Sequence, residues 1–534
     1  MRAVTSARAR GRMVGERGGT RMNLADLTRY WGKTRPDQQA IVFGDHAETW
    51  AELDAVTDAL ARGLVARGVG KGDRVAVMML NRPELAHVIL ATLKIGAISV
   101  PLNFRLTARE LAPMVVDSGP RVVIVEDEFA SLLEVAAEQI PLDIFAIGGS
   151  AHRRYETLSA PGVAPRVDIA GDDAAFICYT SGTTGVQKGA VVTHRNAMAP
   201  GIAQTVSHGF SARDRVLCAA PLVYTGSVLS IFMQLVVVPG ATMVLLREYD
   251  PQIALDTLER EQITATTVVP VIWERMTTLP DFGARKLAKF TFAGTGGAPV
   301  GVDLVDFYCA HGIPLTQVYG LTEASGMVST LNYADASARP GYAGLALVGT
   351  QVTIGDPNVD TPPGEVGEIL VRGDHVMREY WHKPEATAAT LVDGWLRTGD
   401  LGLQDEGGFL KIVDRSKDML ISGGLNVYPA EIERVLHVID GVADLAVIGV
   451  KDDRWGEVPM VVFHSDRPAA EVIAEIEVLA AANLAKFKRP RHAVALSEPL
   501  PRTFSGKMAK PLLRQRFPEA PADAVAVRAN TATA

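Results

Sequence analysis

Apolar residues in the first two-thirds of the chain fall in short, unbroken runs. Arg74-Val75-Ala76-Val77-Met78-Met79, Ala97-Ile98-Ser99-Val100 and Arg121-Val122-Val123-Ile124-Val125 are strand-length and show little polar alternation. Such runs suit strands buried on both faces. Between the first two, Pro83 to Lys94 carries apolar positions at helical spacing. Strand–helix–strand alternation of this kind predicts parallel sheets covered by helices. The most apolar stretch, Ile231 to Leu246, is interrupted by Pro239-Gly240. Each half is too short to cross a bilayer, so it predicts a buried helix followed by a buried strand.

The pattern then changes. Gly364 to Val371 and Phe409 to Val413 are shorter strand-like segments joined by Gly and Asp turns, which predict a small barrel. Beyond Asp414-Arg415-Ser416-Lys417 the spacing becomes compact α+β. Pro429 to His437 is a helix with proline in its first turn, Ala443 to Val450 and Val458 to His464 are strands, and Ala469 to Leu484 is a helix. The expected fold is therefore α/β. A large N-terminal domain of parallel-rich sheets covered by helices, plus the small barrel, spans 22–413. Residues 414–417 are a hinge, and 418–517 form a small mobile α+β C-terminal domain. Residues 1–21, rich in Arg without an apolar stretch, and 518–534, rich in Ala, Pro and Thr, read as disordered extensions.

Charge and cysteine content narrow the function. With 53 basic against 61 acidic residues the net charge is −8, so the chain as a whole is not built to bind nucleic acid. A local basic face for a phosphate-bearing ligand stays compatible with that average. Cys178, Cys218 and Cys309 are far apart with no CxxC spacing, which argues against a disulfide framework or zinc site and fits a reducing, cytoplasmic setting. Cys178 sits in the run Ala175-Phe176-Ile177-Cys178-Tyr179 and reads as a buried small hydrophobe. No segment reads as transmembrane; peripheral membrane contact, and a monomer or homodimer, stay open.

The clearest chemical signal is Tyr179-Thr180-Ser181-Gly182-Thr183-Thr184-Gly185-Val186-Gln187-Lys188-Gly189. Its glycines let backbone N–H groups approach an anion, Ser and Thr add hydroxyl donors, and Lys188 adds a positive charge. Those are the needs of a polyphosphate. It is not a Walker A loop, because no Gly precedes Lys188 and no Ser or Thr follows it. A flexible Ser/Gly linker would not be framed by a strand before it and the apolar run Ala190-Val191-Val192 after it.

This loop resembles the signature of the adenylate-forming superfamily, which includes acyl-CoA synthetases, peptide-synthetase adenylation domains and firefly-type luciferases. Further motifs follow in the family's order, and the resemblance covers Met22 to about Phe517. It implies that Gly294-Thr295-Gly296-Gly297-Ala298-Pro299 borders adenine. In Gln317-Val318-Tyr319-Gly320-Leu321-Thr322-Glu323 it implies that Tyr319 stacks on adenine, Thr322 touches the α-phosphate, and Glu323, with Thr184, holds Mg²⁺. It further implies that Asp400, in Trp395-Leu396-Arg397-Thr398-Gly399-Asp400, and Arg415 bind the ribose. Lys507, in Leu500-Pro501-Arg502-Thr503-Phe504-Ser505-Gly506-Lys507, matches the catalytic lysine. A positioned ammonium lowers the barrier to a carboxylate attacking an anionic phosphate.

Lys417 to Glu433, containing Ser422-Gly423-Gly424-Leu425, looks more like the fatty and aryl acyl-CoA synthetases than like peptide-synthetase modules. In that branch Gly423 and Gly424 lie along the pantetheine path, and no carrier-protein pattern follows Lys507. The resemblance thus implies ATP, Mg²⁺ and CoA as reactants or cofactor. It implies two half-reactions, acyl-AMP formation and then thioesterification, exchanged by a swing of the C-terminal domain about Lys417. Lys486, Lys488, Arg489 and Arg491 form a basic cluster that reads either as a contact for the CoA phosphates or as a solvated helix end. Two positions depart from the family pattern. Tyr224, in Pro221-Leu222-Val223-Tyr224-Thr225-Gly226, replaces a usual His that borders the acyl channel, and Leu425 replaces a common Glu. Candidate acid contacts are Tyr224, Gly226, Ser227, Ser230, Gly294, Gly320 and Ser325. A medium- or long-chain fatty acid leads as substrate, an aromatic or alicyclic acid is second, and a non-catalytic nucleotide-binding protein is a remote third.

Overall fold

The computed structural model describes residues 23–149, 152–180, 187–287, 289–298, 300–502, 508–522 and 524–527. Two large sheets form the first body. One has eight strands, built around β1 (Arg74–Met78), β2 (Ile98–Pro101), β3 (Val122–Glu126), β4 (Ala174–Thr180) and β5 (Lys188–Thr193). β1 pairs in parallel with β2 and β3, and β2 with β4, while β4 and β5 form an antiparallel pair. These strands are almost wholly buried, as their unbroken apolar runs demand. Helix α1 (Pro83–Lys94) matches its expected limits and crosses between β1 and β2.

Helix α2 (His194–His208) follows β5, capped by Thr193, whose side chain accepts from the Asn196 N–H. The second sheet has nine strands. It includes β6 (Ala265–Val268), β7 (Phe292–Gly296), β8 (Leu315–Leu321) and β9 (Gly326–Thr330) side by side, parallel except for β8 with β9. The expected buried helix at Ile231 is a π-helix, Gly226–Val237, followed by a buried strand at Thr242–Leu245. π geometry is rare and found mostly as short bulges at functional sites. The π-helix packs against α2 and against β6 and β9.

β10 (Glu379–Tyr380) returns to the first sheet beside β5. β11 (Trp395–Gln404) and β12 (Leu410–Arg415) belong to a five-stranded antiparallel sheet. This sheet stands where the small barrel was expected, and Leu410 of β12 also bridges Gly344 beyond its edge. The last body holds β13 (Leu420–Ser422), α3 (Pro429–Leu436), β14 (Val442–Asp452), β15 (Gly456–Ser465), α4 (Ala469–Asn483) and α5 (Lys510–Arg516). It has its own apolar core around Val447, Val461, Phe463 and Ile476. β12 feeds straight into it. The Ala430 N–H donates to Asp414 Oδ2 at 2.9 Å, and Lys510 pairs with Glu433 at 2.8 Å. Among the described residues, no helix is long and apolar enough to cross a membrane.

Candidate active site

β8 places the central groups. Tyr319 lies near its end, and Thr322 and Glu323 follow in the one-turn 3₁₀ helix Thr322–Ala324. Tyr319 is buried and its hydroxyl donates to Asp400 Oδ2 at 2.8 Å. Asp400, on β11, is opposite Arg415 of β12 in the antiparallel register. Arg415 Nε lies 3.1 Å from Asp400 Oδ1. Side chains from two distant segments thus meet on the Asp400 carboxylate. Burial, reinforced by the Asp400 charge, raises the Tyr319 pKa well above its ordinary value, so this hydroxyl stays a donor at all working pH.

Four residues on, Glu323 is the hub of a second group. Its Oε1 accepts from Tyr380 Oη at 2.7 Å. The Lys188 ammonium lies 5.0 Å above the Tyr380 ring, within cation–π range. Met377 N–H donates to the Glu323 carbonyl, and Trp381 N–H to the Gly189 carbonyl. Burial and the nearby Glu323 charge push the Tyr380 hydroxyl far up from its usual range. Tyr380 was not a sequence candidate. Its only signal, the pair Tyr380-Trp381 in a polar stretch, is weak without the fold.

The ends of the proposed phosphate loop reach this second group. Thr180 and Lys188 are directly paired in the β4–β5 hairpin, and the Thr180 hydroxyl donates to the Lys188 carbonyl at 3.4 Å. Ser181, Gly182, Thr183, Thr184 and Gly185 lie outside the described residues, as do Pro299 and Lys507. The loop therefore starts and ends beside Tyr380 and Glu323. Among the described residues no cluster of three His, Cys, Asp or Glu side chains suits a metal. A lone Glu323 carboxylate nevertheless fits Mg²⁺, which keeps several waters and is held by one or two carboxylates plus substrate phosphates.

The small residues serve packing as well as space. A Cβ on Gly296 would lie 2.4 Å from the Val318 carbonyl oxygen, and one on Gly320 would lie 1.6 Å from the Gly326 carbonyl oxygen. Close backbone approach, and not only room for a flat base, requires glycine at both. Gly297 turns the chain with φ +78°, leaving Ala298 exposed. Tyr224 precedes Gly226 and Ser227 at the mouth of the π-helix. Burial raises the Tyr224 pKa, opposed by the charge and hydrogen bond of Arg105. Tyr224 cannot become cationic, but Arg105 brings a fixed cation to the same place, a residue that no motif pointed to.

In the C-terminal body, Lys417 is exposed between β12 and β13. Gly423 has φ +58°, and a Cβ there would meet the Trp455 ring at 2.6 Å; Gly424, with φ +84°, has open space beside it. The structure does not bring these glycines into the Asp400 or Glu323 groups; their neighbours belong to their own body. The basic cluster is largely engaged in structure. Lys488 pairs with Glu431 at 2.8 Å, Arg489 donates to the carbonyls of Leu484 and Ala481, and Arg491 lies over the Trp455 ring. Lys486 stays exposed. Lys488 and Arg489 are thus held by neighbours within their own body. Cys178 is buried and its thiol is pushed up to about 12 by burial, the inert behaviour expected of it.

Residues 28–381 match the AMP-binding enzyme family, and residues 431–507 match the AMP-binding enzyme C-terminal domain. A long-chain-fatty-acid–CoA ligase of Mycobacterium tuberculosis is 35% identical over 500 residues, 93% of this chain and 98% of the relative. A feruloyl-CoA synthase of Amycolatopsis sp is 38% identical over 487 residues, 90% and 96% of the two chains. An o-succinylbenzoate CoA synthetase from Bacillus subtilis, solved with its acyl-adenylate intermediate, superposes with a TM-score of 0.83 at 29% identity. That match covers 94% of this chain and 99% of the other.

Proposed function

The chain belongs to the AMP-binding enzyme family and is an AMP-forming acid–thiol ligase. On that premise we propose that the residues described above carry its two half-reactions on one carboxylic acid. In the first, a carboxylate oxygen of the acid attacks the α-phosphorus of ATP. A new P–O bond forms, and the bond to the bridging oxygen breaks, releasing pyrophosphate. In the second, the CoA sulfur attacks the acyl carbonyl, the bond to AMP breaks, and the thiol proton is lost.

The observation that carries this reading is the spacing along β8 and the 3₁₀ turn that follows it. Tyr319, bound to Asp400, and Glu323, bound to Tyr380 beside Lys188, lie four residues apart. A nucleoside held at the first has its phosphates within reach of the second. Asp400 and Arg415 would take the ribose hydroxyls, with Tyr319 against the base. Lys188 and the loop from Ser181 to Gly185 would take the phosphates, with Thr322 at the α-phosphate. Glu323 with Thr184 would hold Mg²⁺, which neutralises phosphate charge when bound. Lys507 would serve the first step. Residues 418–517 would then turn about Lys417, bringing Gly423 and Gly424 to the pantetheine. One lid serving two steps is a known way to exclude water from each. The unpaired, largely buried cysteines fit a reducing cytoplasm.

Sequence resemblance put a medium- or long-chain fatty acid first. The polar side chains behind Ser230 favour the second reading, a compact aromatic or alicyclic acid. Acid-dependent AMP release, measured with and without CoA, tests the reaction. AMP appearing only when a carrier protein is supplied, or never, would end the ligase assignment.

A further inference from the structure

A line of polar side chains crosses the largely apolar core around the π-helix. Gln204 and His208 are one turn apart on α2, hence on the same face. Gln204 Nε2 donates to Gln234 Oε1 at 3.0 Å, and Gln234 Nε2 donates to the Ser325 carbonyl at 2.5 Å. The His208 ring lies 5.2 Å from that of Phe292. Phe292 and the Thr267 hydroxyl both border the missing side chain of Gly294, at 2.9 and 2.5 Å from its Cβ position. Near the other end, Ser230 Oγ borders the missing side chain of Gly326, which packs on Gly320 beside the nucleotide groups. The line therefore runs from Gly320 and Ser230 to His208, at the partly buried end of α2.

Several of its polar atoms are buried with no hydrogen-bond partner among the described residues. They are Gln204 Oε1, both His208 ring nitrogens, Thr267 Oγ1 and Ser325 Oγ. Buried polar atoms are nearly always paired, and a hydrocarbon chain laid along this line would leave all of them unsatisfied. No Lys or Arg belongs to the line. Burial also lowers the His208 pKa, so its ring is neutral, and a second carboxylate would find no counter-charge.

We propose that Gln204, Gln234 and Thr267 are specificity-determining residues that select an acid bearing a neutral oxygen substituent, a hydroxyl or carbonyl, remote from its carboxylate. The inference rests on the acid-activating reading above. Gln204 holds Gln234 in one amide orientation, so the pair presents a fixed acceptor, and Thr267 supplies a hydroxyl able to donate or accept. A site built to bond an oxygen rejects the analogue lacking it more strongly than an apolar pocket rejects an extra methylene.

The test compares kcat/KM for 3-(4-hydroxyphenyl)propanoate, 3-phenylpropanoate and decanoate, followed by CoA-dependent AMP release. In the unsubstituted chain, the hydroxylated acid should exceed its parent by at least about 10-fold, and decanoate should be the poorest of the three. In Gln204→Leu and in Thr267→Val that ratio should fall to within about 3-fold of one. Thr267→Val is nearly isosteric and carries the test if Gln204→Leu does not fold. A starting ratio near one, or a preference for decanoate, overturns the inference while leaving the ligase intact. A ratio unchanged in both variants also overturns it and assigns the polar atoms to ordered water. No AMP from any of the three acids overturns this inference, and the carrier-protein assay then decides the ligase reading separately.

Discussion

The nucleotide groups and the acyl line meet at Gly320, beside Tyr319 on β8, and differ in how their polar atoms are paired. At the first, each side chain already has a partner: Tyr319 and Arg415 bind Asp400, and Tyr380 binds Glu323. Such a site is preorganised, and a ligand that never changes can be met by groups already in place. Along the second, buried Gln, His, Thr and Ser atoms lack partners among the described residues. The part of the molecule facing the variable substrate keeps its hydrogen-bonding capacity uncommitted. The difference teaches where to look for identity of substrate: at the unmatched atoms, not at the motifs.

The strongest way to break this contrast is Lys507→Ala. Adenylation should fall by about 100-fold or more, while thioesterification of supplied acyl-AMP persists, measured by pyrophosphate release and by thioester formation in turn. Equal loss in both would remove the two-step lid. Next is Asp400→Asn, which leaves Tyr319 and Arg415 facing a neutral amide. A loss of about 10- to 100-fold in kcat/KM for ATP is expected, with the ratio between acids unmoved. A changed acid preference would show that the two regions are not separate. Gly423→Ala is the mirror of the lysine change. Its left-handed backbone and the Trp455 ring both oppose a side chain, so thioesterification should drop by about 10-fold while pyrophosphate release holds.

A smaller effect is set by pH and touches neither region. His194 is fully buried, accepts from the Leu24 N–H, and burial lowers its pKa from 6.5 to about 4. The unfolded chain takes up this proton below about pH 6.5 and the folded chain only near 4. Stability is therefore complete above 6.5 and is lost as pH falls between those values, by on the order of a few kcal/mol. Thermal unfolding across that window should show it, and His194→Gln should flatten the slope. A flat slope in the unsubstituted chain would contradict the assignment.

Much of the molecule is legible from sequence alone. The strands around Val75, Ile98 and Val122 declare themselves because burial on both faces leaves no polar alternation to confuse. The helix from Pro83 to Lys94 has its proline start and its full apolar span. Asp400, Arg415, Tyr319 and Glu323 stand out because order along the chain carries information that each alone lacks. The features that stayed hidden have a common cause. Tyr380 and Arg105 matter only through neighbours distant in sequence, and the engagement of Lys488 by Glu431 is a tertiary fact. An α- and a π-helix have the same apolar content, so Gly226 to Val237 revealed burial but not pitch.

That wide helix has an evolutionary consequence. An extra residue per turn is the mark of an insertion, and each residue added to or removed from a helix rotates the remainder of that helix by about 100°. Deleting one residue before Ser230 would swing Ser230 and Gln234 off their present bearing and carry Gly226 to a new place, while the strands on either side keep their register. Loss of a single codon is thus a step that would redraw this wall of the acid site from one scaffold.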